Sequence, residues 1–192
     1  MKSLKNTEYE ESGLLLRKYQ LSDQEERLAA IKDSFEDLTY WFASFQNDSL
    51  EEFNELWLIN NEINWSSGVE FCFMLKYTDS PLMLGEIRIN NINVKHNFAN
   101  LMYWIRSSEK GKGLAVRGSK IAIKIALEEL KLNRLEIFMS TANEASRKVA
   151  EKAGAKFEGK MRKRISVQDR IDDAYLYSII PEDLISERKL IL

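Results

Sequence analysis

The 192-residue chain is 44% hydrophobic and 30% charged, a composition that suits one globular domain and excludes a disordered or fibrous polymer. With 28 Lys and Arg against 30 Asp and Glu, it has no global field of the kind that gathers nucleic acid or an anionic membrane. One histidine, His96, excludes a multi-histidine metal site, and one cysteine, Cys72, excludes an internal disulfide, as expected of a reducing, cytoplasmic setting.

The opening MKSLKNTEYEESG lacks the apolar core of a signal peptide, and no stretch approaches the roughly 20 apolar residues of a membrane span. Leu14 to Tyr19 is a short apolar run that predicts a first strand. Ser22 and Glu25 then have capping-box spacing, and Leu28, Ile31, Phe35 and Leu38 recur at helical spacing behind them. A second box, Ser49 with Glu52, precedes Phe53, Leu56 and Trp57, so the first third reads as one strand and two helices. Trp41, Phe42, Phe45 and Trp57 read as core on these helices, with the lining of a substrate cleft as the alternative.

From Val69 the period becomes two. Val69, Phe71, Phe73 and Leu75 share a face, and Cys72 among them reads as a buried thiol. After the turn at Ser80 and Pro81, Leu82 to Ile87 continue the pattern, and Ala99 to Arg106 complete an antiparallel meander. Glu86 alternates with apolar neighbours, where a carboxylate is costly unless paired; the two readings are a general base and a salt bridge to Arg88 or a neighbouring strand.

From Leu114 to Leu130 nearly every position is small or apolar, apart from a narrow stripe at Arg117, Lys120, Lys124 and Glu128, which predicts a helix buried over most of its circumference. Arg134 opens another strand, Asn143 caps a short helix that Gly154 ends, and two strands close the chain as a hairpin. Within that hairpin, Lys160 to Arg164 reads as a solvated edge rather than a contact for an acidic substrate or RNA.

Strand, glycine loop and helix together bring free backbone N–H groups and a positive helix end onto an anion. The loop is Lys110 to Ala115, where Gly111 and Gly113 permit positive φ and Lys110 and Lys112 add charge; it reads as a phosphate site or as a Gly/Lys-rich surface turn. A Walker loop is excluded because Gly113 follows Lys112, and a dinucleotide fingerprint fails because Val116 stands at its third glycine.

The loop KGKGLA resembles the pyrophosphate loop of the GNAT superfamily of N-acetyltransferases, Gln/Arg-x-x-Gly-x-Gly/Ala, matching at Gly113 and Ala115 with Lys110 in place of Gln or Arg. Downstream, NEASRKVAEKAGAKFEG is similar to a segment of the family's RimJ/RimL-like, ribosomal-protein acetyltransferase branch. Asn143, Ser146, Val149, Glu151, Lys152, Gly154, Glu158 and Gly159 match, while Ala155 precedes Phe157 where the branch has phenylalanine directly. The closing DDAYLYSI is similar to the last strand, so the resemblance runs from about Val69 to Ile180.

The resemblance implies an α+β, GNAT-like single domain over residues 1–192, with its core at about 14–182 and a mixed, mostly antiparallel, twisted sheet flanked by helices. It implies an acetyl-CoA-dependent N-acetyltransferase, without metal, acting by direct transfer in a ternary complex on a primary amine, a protein N-terminus being the expected acceptor. A small-molecule amine (amino acid, polyamine or antibiotic) and a non-catalytic CoA-binding module are the alternatives; the chain is expected as monomer or homodimer. In such a fold the backbone of Trp104, Ile105 and Arg106 is expected to meet the pantetheine, an N–H near Ile105 the thioester oxygen, and Lys110, Gly111, Lys112, Gly113, Leu114 and Ala115 the pyrophosphate. Asn143 is expected as a cofactor contact as well as a cap, and Ser146 as the residue near the sulfur that supplies a proton. Many relatives place a tyrosine on this helix where Ala150 stands, and the branch's glutamate base is here Ile165. Glu86 is therefore the expected catalytic carboxylate, with Glu70, Asp172, Asp173 or a water as further options.

Overall fold

The computed structural model describes residues 2–42, 45 and 49–184. Among these, eight strands form one sheet in the order β1-β2-β3-β4-β5-β6-β8-β7. Strands β1 (Glu8–Glu11) and β2 (Leu14–Lys18) form a hairpin whose second strand carries the buried Leu14 and Leu16. β1 has no apolar signature in EYEE, and it pairs as a charged edge.

A single-turn 3-10 helix (Leu21–Asp23) leads into α1 (Gln24–Asp33), and the capping box is formed by Gln20 and Asp23 rather than by Ser22 and Glu25. The helix expected through Leu38 breaks at Ser34, giving a separate α2 (Phe35–Trp41). Ser34 is buried, and its hydroxyl accepts a hydrogen bond from Ser107 N at 3.0 Å, a long-range contact that local spacing does not reveal. α3 (Leu50–Ser67) starts at Ser49, whose hydroxyl accepts from Glu52 N. Its inward face runs through Asn54, Leu58, Asn61 and Trp65, leaving Leu56 exposed. Among its described residues the first third thus holds two strands and three α-helices, with the 3-10 turn between them.

β3 (Phe71–Tyr77), β4 (Met83–Asn93) and β5 (Phe98–Ile105) form the meander. β3 is apolar without alternation from Phe71 to Leu75 because helices cover both of its faces. On one face Phe73, Leu75, Ile87 and Leu101 share a core with α4 (Leu114–Lys124) and α5 (Glu144–Lys152). On the other, Cys72, Met74 and Trp104 pack with Ile31, Leu38 and Leu58 of α1–α3. α4 continues through a π-helical turn at Ile125–Glu129 into β6 (Arg134–Ser140). β7 (Lys156–Val167) and β8 (Arg170–Ile179) close the sheet, with β7 at its edge. Among the described residues no helix is long and apolar enough to cross a membrane.

Candidate active site

β5 and β6 are the one parallel pair among the described strands, and they pair at three positions, Phe98 with Arg134, Ala99 with Leu135 and Asn100 with Glu136. Beyond Asn100 they splay, and a cleft of about 700 Å³ fills the wedge between Leu101–Ile105 and Ile137–Ser140. Arg106 N donates to Leu84 O at 2.8 Å. Bonded and non-bonded pairs alternate along an antiparallel ladder, so Trp104 opposite Glu86 also spends its backbone groups on β4, while Tyr103 and Ile105 turn theirs toward the wedge. Of the three residues expected to offer free backbone to a ligand, Ile105 does so, whereas Trp104 faces β4 and Arg106 spends its N–H on β4 and its carbonyl on Glu109 N at 2.9 Å. Arg106 instead ties the strand end to α1 through Asp33 at 2.7 Å and Glu26 at 3.1 Å.

At the open end of the wedge lies the glycine loop. Gly111 (φ 80°) and Gly113 (φ 73°) sit in the left-handed region, and a Cβ at either would meet nothing within 4 Å, so these glycines serve backbone conformation and leave open space beside it. Gly113 is the N-cap of α4 without a side-chain cap, and the first helical bond is Arg117 N to Gly113 O. The N–H groups of Leu114, Ala115 and Val116 are left without helical partners at a positive helix end. The two lysines are less available than the sequence suggests. Lys110 is paired with Asp37 of α2, and Lys112 Nζ lies 2.7 Å from Glu109 Oε2. The anion-attracting element here is the row of amides, with lysine charge largely compensated nearby.

On the α5 side, Asn143 Oδ1 accepts from Ser146 N at 2.9 Å, so the N-cap role is realised and the first turn is fixed. Ser146 Oγ lies 3.0 Å from the Tyr103 hydroxyl, which also reaches the Ser146 carbonyl oxygen at 3.0 Å. Both residues line the cleft. Burial pushes the Tyr103 phenol up to about 12, with the Ser146 hydrogen bond opposing the shift. Tyr103 escapes a reading by motif; the odd-numbered phase of β5, which faces α4 and α5, was the signal that could have found it.

Glu86 is elsewhere. Its carboxylate is fully buried between Arg88 (Nη2 to Oε1, 2.6 Å), Arg27 (3.5 Å) and the Tyr19 hydroxyl (3.2 Å), and it does not border the cleft. Burial alone would raise its pKa, but the Arg88 and Arg27 guanidiniums outweigh that and hold it below the ordinary carboxylate value. Its geometry is that of a core ion cluster rather than a base. Glu70 joins the same cluster through Arg88 at 3.5 Å, and Asp173 is held by Lys160 at 2.8 Å and Lys163 N at 2.9 Å. Asp172 is also ion-paired, to Arg170 at 2.8 Å, which with the Ser140 hydrogen bond holds its carboxyl below the usual value. It stands opposite Ile165 in the β7–β8 ladder and accepts from Ser140 Oγ at 2.6 Å, so it stands behind the cleft wall that Ile165 and Ser140 form rather than on it.

Of the four aromatics from the first third, Trp41 and Phe42 line the cleft, while Phe45 is buried in the core and Trp57 lies under the Arg27 guanidinium at 3.4 Å. The basic run Lys160 to Arg164 is an exposed edge in which Lys160 is ion-paired and Arg164 stacks 4.6 Å over Phe138.

A family model described as an acetyltransferase (GNAT) domain matches residues 13–156, taking in the first third that the sequence motifs did not reach. YdaF of Bacillus subtilis strain 168, which carries a provisional ribosomal N-acetyltransferase name, is 33% identical over 106 residues, 55% of this chain and 58% of its own length. The match thus spans little more than half of that relative. Among solved structures, the microcin C7 self-immunity acetyltransferase MccE, in complex with acetyl-CoA and AMP, has a TM-score of 0.83 at 18% identity over 88% of this chain and 93% of its own. RimL, a ribosomal L7/L12 alpha-N-protein acetyltransferase in complex with CoA, has a TM-score of 0.82 at 19% identity over 88% and 95%. These two are likenesses of fold.

Proposed function

The chain belongs to the acetyltransferase (GNAT) domain family, and from that premise we propose that it transfers the acetyl group of acetyl-CoA to a primary amine at a protein N-terminus. The observation that carries this reading is the single cleft joining an uncapped helix start behind two left-handed glycines to a splayed strand pair and the Tyr103–Ser146 hydroxyls. The ribosomal acetyltransferase names of YdaF and RimL support the choice of acceptor.

Acetyl-CoA supplies an activated acyl group as a thioester, so the protein's task is to hold and orient. The residues present fit it. The amides of Leu114 to Val116 take the pyrophosphate, with Gly111 and Gly113 allowing close approach. The outward-facing backbone of Tyr103 and Ile105 pairs with the pantetheine, and Ile105 N–H faces the thioester oxygen, a donor typically worth about 3 kcal/mol when preorganised. Trp41 and Phe42 wall the cleft from α2, and Asn143 and Ser146 from α5, so two substrates can lie against one another as direct transfer requires. In this reading the amine loses its proton to water in the cleft, with Asp172 reaching the cleft only through the Ser140 hydroxyl at 2.6 Å and held by Arg170 at 2.8 Å.

A binding module without turnover is the second reading, favoured by Ile165 at the branch's base position and by the sequestration of Glu86. Calorimetry with acetyl-CoA, followed by thiol release against N-terminal peptides and small amines, separates the readings. Binding with thiol release on peptides is expected. Release on small amines alone moves the acceptor to that class, binding without any release favours the module, and absent binding overturns both.

A further inference from the structure

The geometry points to Tyr103 as the residue that turns Ser146 into a hydrogen-bond donor toward the sulfur of coenzyme A, a positioning role that rests on the acetyltransferase reading above. A phenol carries one proton, yet the Tyr103 oxygen stands 3.0 Å from the Ser146 carbonyl oxygen and 3.0 Å from Ser146 Oγ. Two proton arrangements therefore share one set of heavy-atom positions. With the phenol proton on the carbonyl, the Ser146 hydroxyl fills a phenol lone pair and shows the cleft only its own lone pairs. With the phenol proton on Oγ, the serine proton is released into the cleft. Ser146 N is held separately by Asn143 Oδ1 at 2.9 Å, so the exchange rotates two O–H bonds and moves no backbone.

The exchange matches what acyl transfer does to the sulfur. As the amine nitrogen forms its bond to the acyl carbon, the C–S bond breaks and its electron pair passes to sulfur. The thioester sulfur is a poor acceptor, whereas the thiolate is a strong one. In the second arrangement Ser146 donates to that thiolate while Tyr103 supports Oγ. The proton lost by nitrogen passes to solvent and sulfur takes one from solvent, so one proton moves from amine to thiol with no redox change. Tyr103 is not the net proton source. A phenol pushed up to about 12 is a weaker acid than an alkyl thiol, for which the cysteine side chain at about 8.5 is the reference, so it does not favourably protonate the thiolate, and hydrogen-bond donation is what remains open to it.

The test needs bound CoA and no acceptor. The thiol of CoA is titrated by its thiolate absorbance on the wild type, Tyr103→Phe, Ser146→Ala and the double variant, with affinity measured by calorimetry. Bound to the wild type, the thiol is expected to titrate about one pH unit below free CoA, since donors to the charged form lower a pKa. Tyr103→Phe and Ser146→Ala should each lose most of that shift, and the double variant no more than Ser146→Ala, because Tyr103 acts through Ser146. Installing 3-fluorotyrosine at position 103, a stronger donor of nearly the same shape, should enlarge the shift and covers the case in which Tyr103→Phe does not fold. Additive losses, or a thiol pKa indifferent to both changes at Tyr103, overturn the proposal while leaving acetyl-CoA binding intact. Failure of the wild type to bind CoA overturns the acetyltransferase reading, and this inference with it.

Discussion

Gly85 lies so close beneath Trp104 that a Cβ added to it would stand 2.2 Å from the Trp104 carbonyl oxygen and 2.9 Å from Ile105 Cα. Because Gly85 is the ladder partner of Ile105, that contact sets the position at which β5 delivers its free backbone to the cleft. Gly85→Ala must displace backbone rather than a side-chain tip. The expected outcome is a stability loss toward the upper end of about 1–3 kcal/mol, together with weaker acetyl-CoA binding, read by urea unfolding and calorimetry. A stable variant that binds normally would show that the Ile105 position does not matter.

Glu86 is the second test. The Arg27 and Glu86 side chains are fully buried, and removing the Glu86 charge leaves the Arg27 guanidinium without a counter-charge while Arg88 keeps Glu70, so Glu86→Gln should cost about 3–5 kcal/mol. Its folded pKa lies below the ordinary 4.5, so its stabilisation is present above the unfolded value and is lost as pH falls through the folded one. Wild type should therefore lose stability more steeply than the variant below roughly pH 4.5. Turnover per folded molecule should survive within about threefold; a loss of several hundredfold in a folded variant would restore Glu86 as a base.

Gly113 offers the plainest check of the anion site. A glutamate there would carry a carboxylate into the space that faces the amides of Leu114 to Val116, and in a backbone conformation (φ 73°) that side chains resist. Gly113→Glu is expected to lower acetyl-CoA affinity by at least about 100-fold, since a fixed anion replaces the attraction those amides offer. Unchanged affinity would remove the loop from the site.

The lysines of the loop make an opposite prediction. Glu109 sits 2.7 Å from Lys112 and raises its pKa. Freeing that ammonium by Glu109→Gln should tighten acetyl-CoA binding about two- to fivefold at low salt, and the gain should vanish near 1 M salt, where the screening length is about 3 Å. No gain at low salt would mean that Lys112 takes no part in holding the anion.

What could be read in advance was local. The glycine loop, the Asn143 cap and the buried character of α4 depend on residues a few positions apart, and all appear in the structure where the sequence places them. What could not be read depends on distant partners. The helix broke at Ser34 where that residue meets Ser107, the Glu86 charge is neutralised partly by Arg27, 59 positions away, and Tyr103 meets Ser146 across 43 positions. The faces of β3 hid their alternation because both are covered. The lysines misled for a related reason, since the charge they bring is visible in the sequence and the position of Asp37 is not.

Three rungs join the first five strands to the last three. Hairpins such as β3–β4 and β7–β8 close over short spans, whereas this seam must wait for the whole α4 crossover to be laid down, and pairings of long sequence separation form slowly. In amide hydrogen exchange the molecule should accordingly behave as two blades, with the seam protons of β6 exchanging before those in the β3–β5 meander. The wedge is then the place where the two blades were never stitched together.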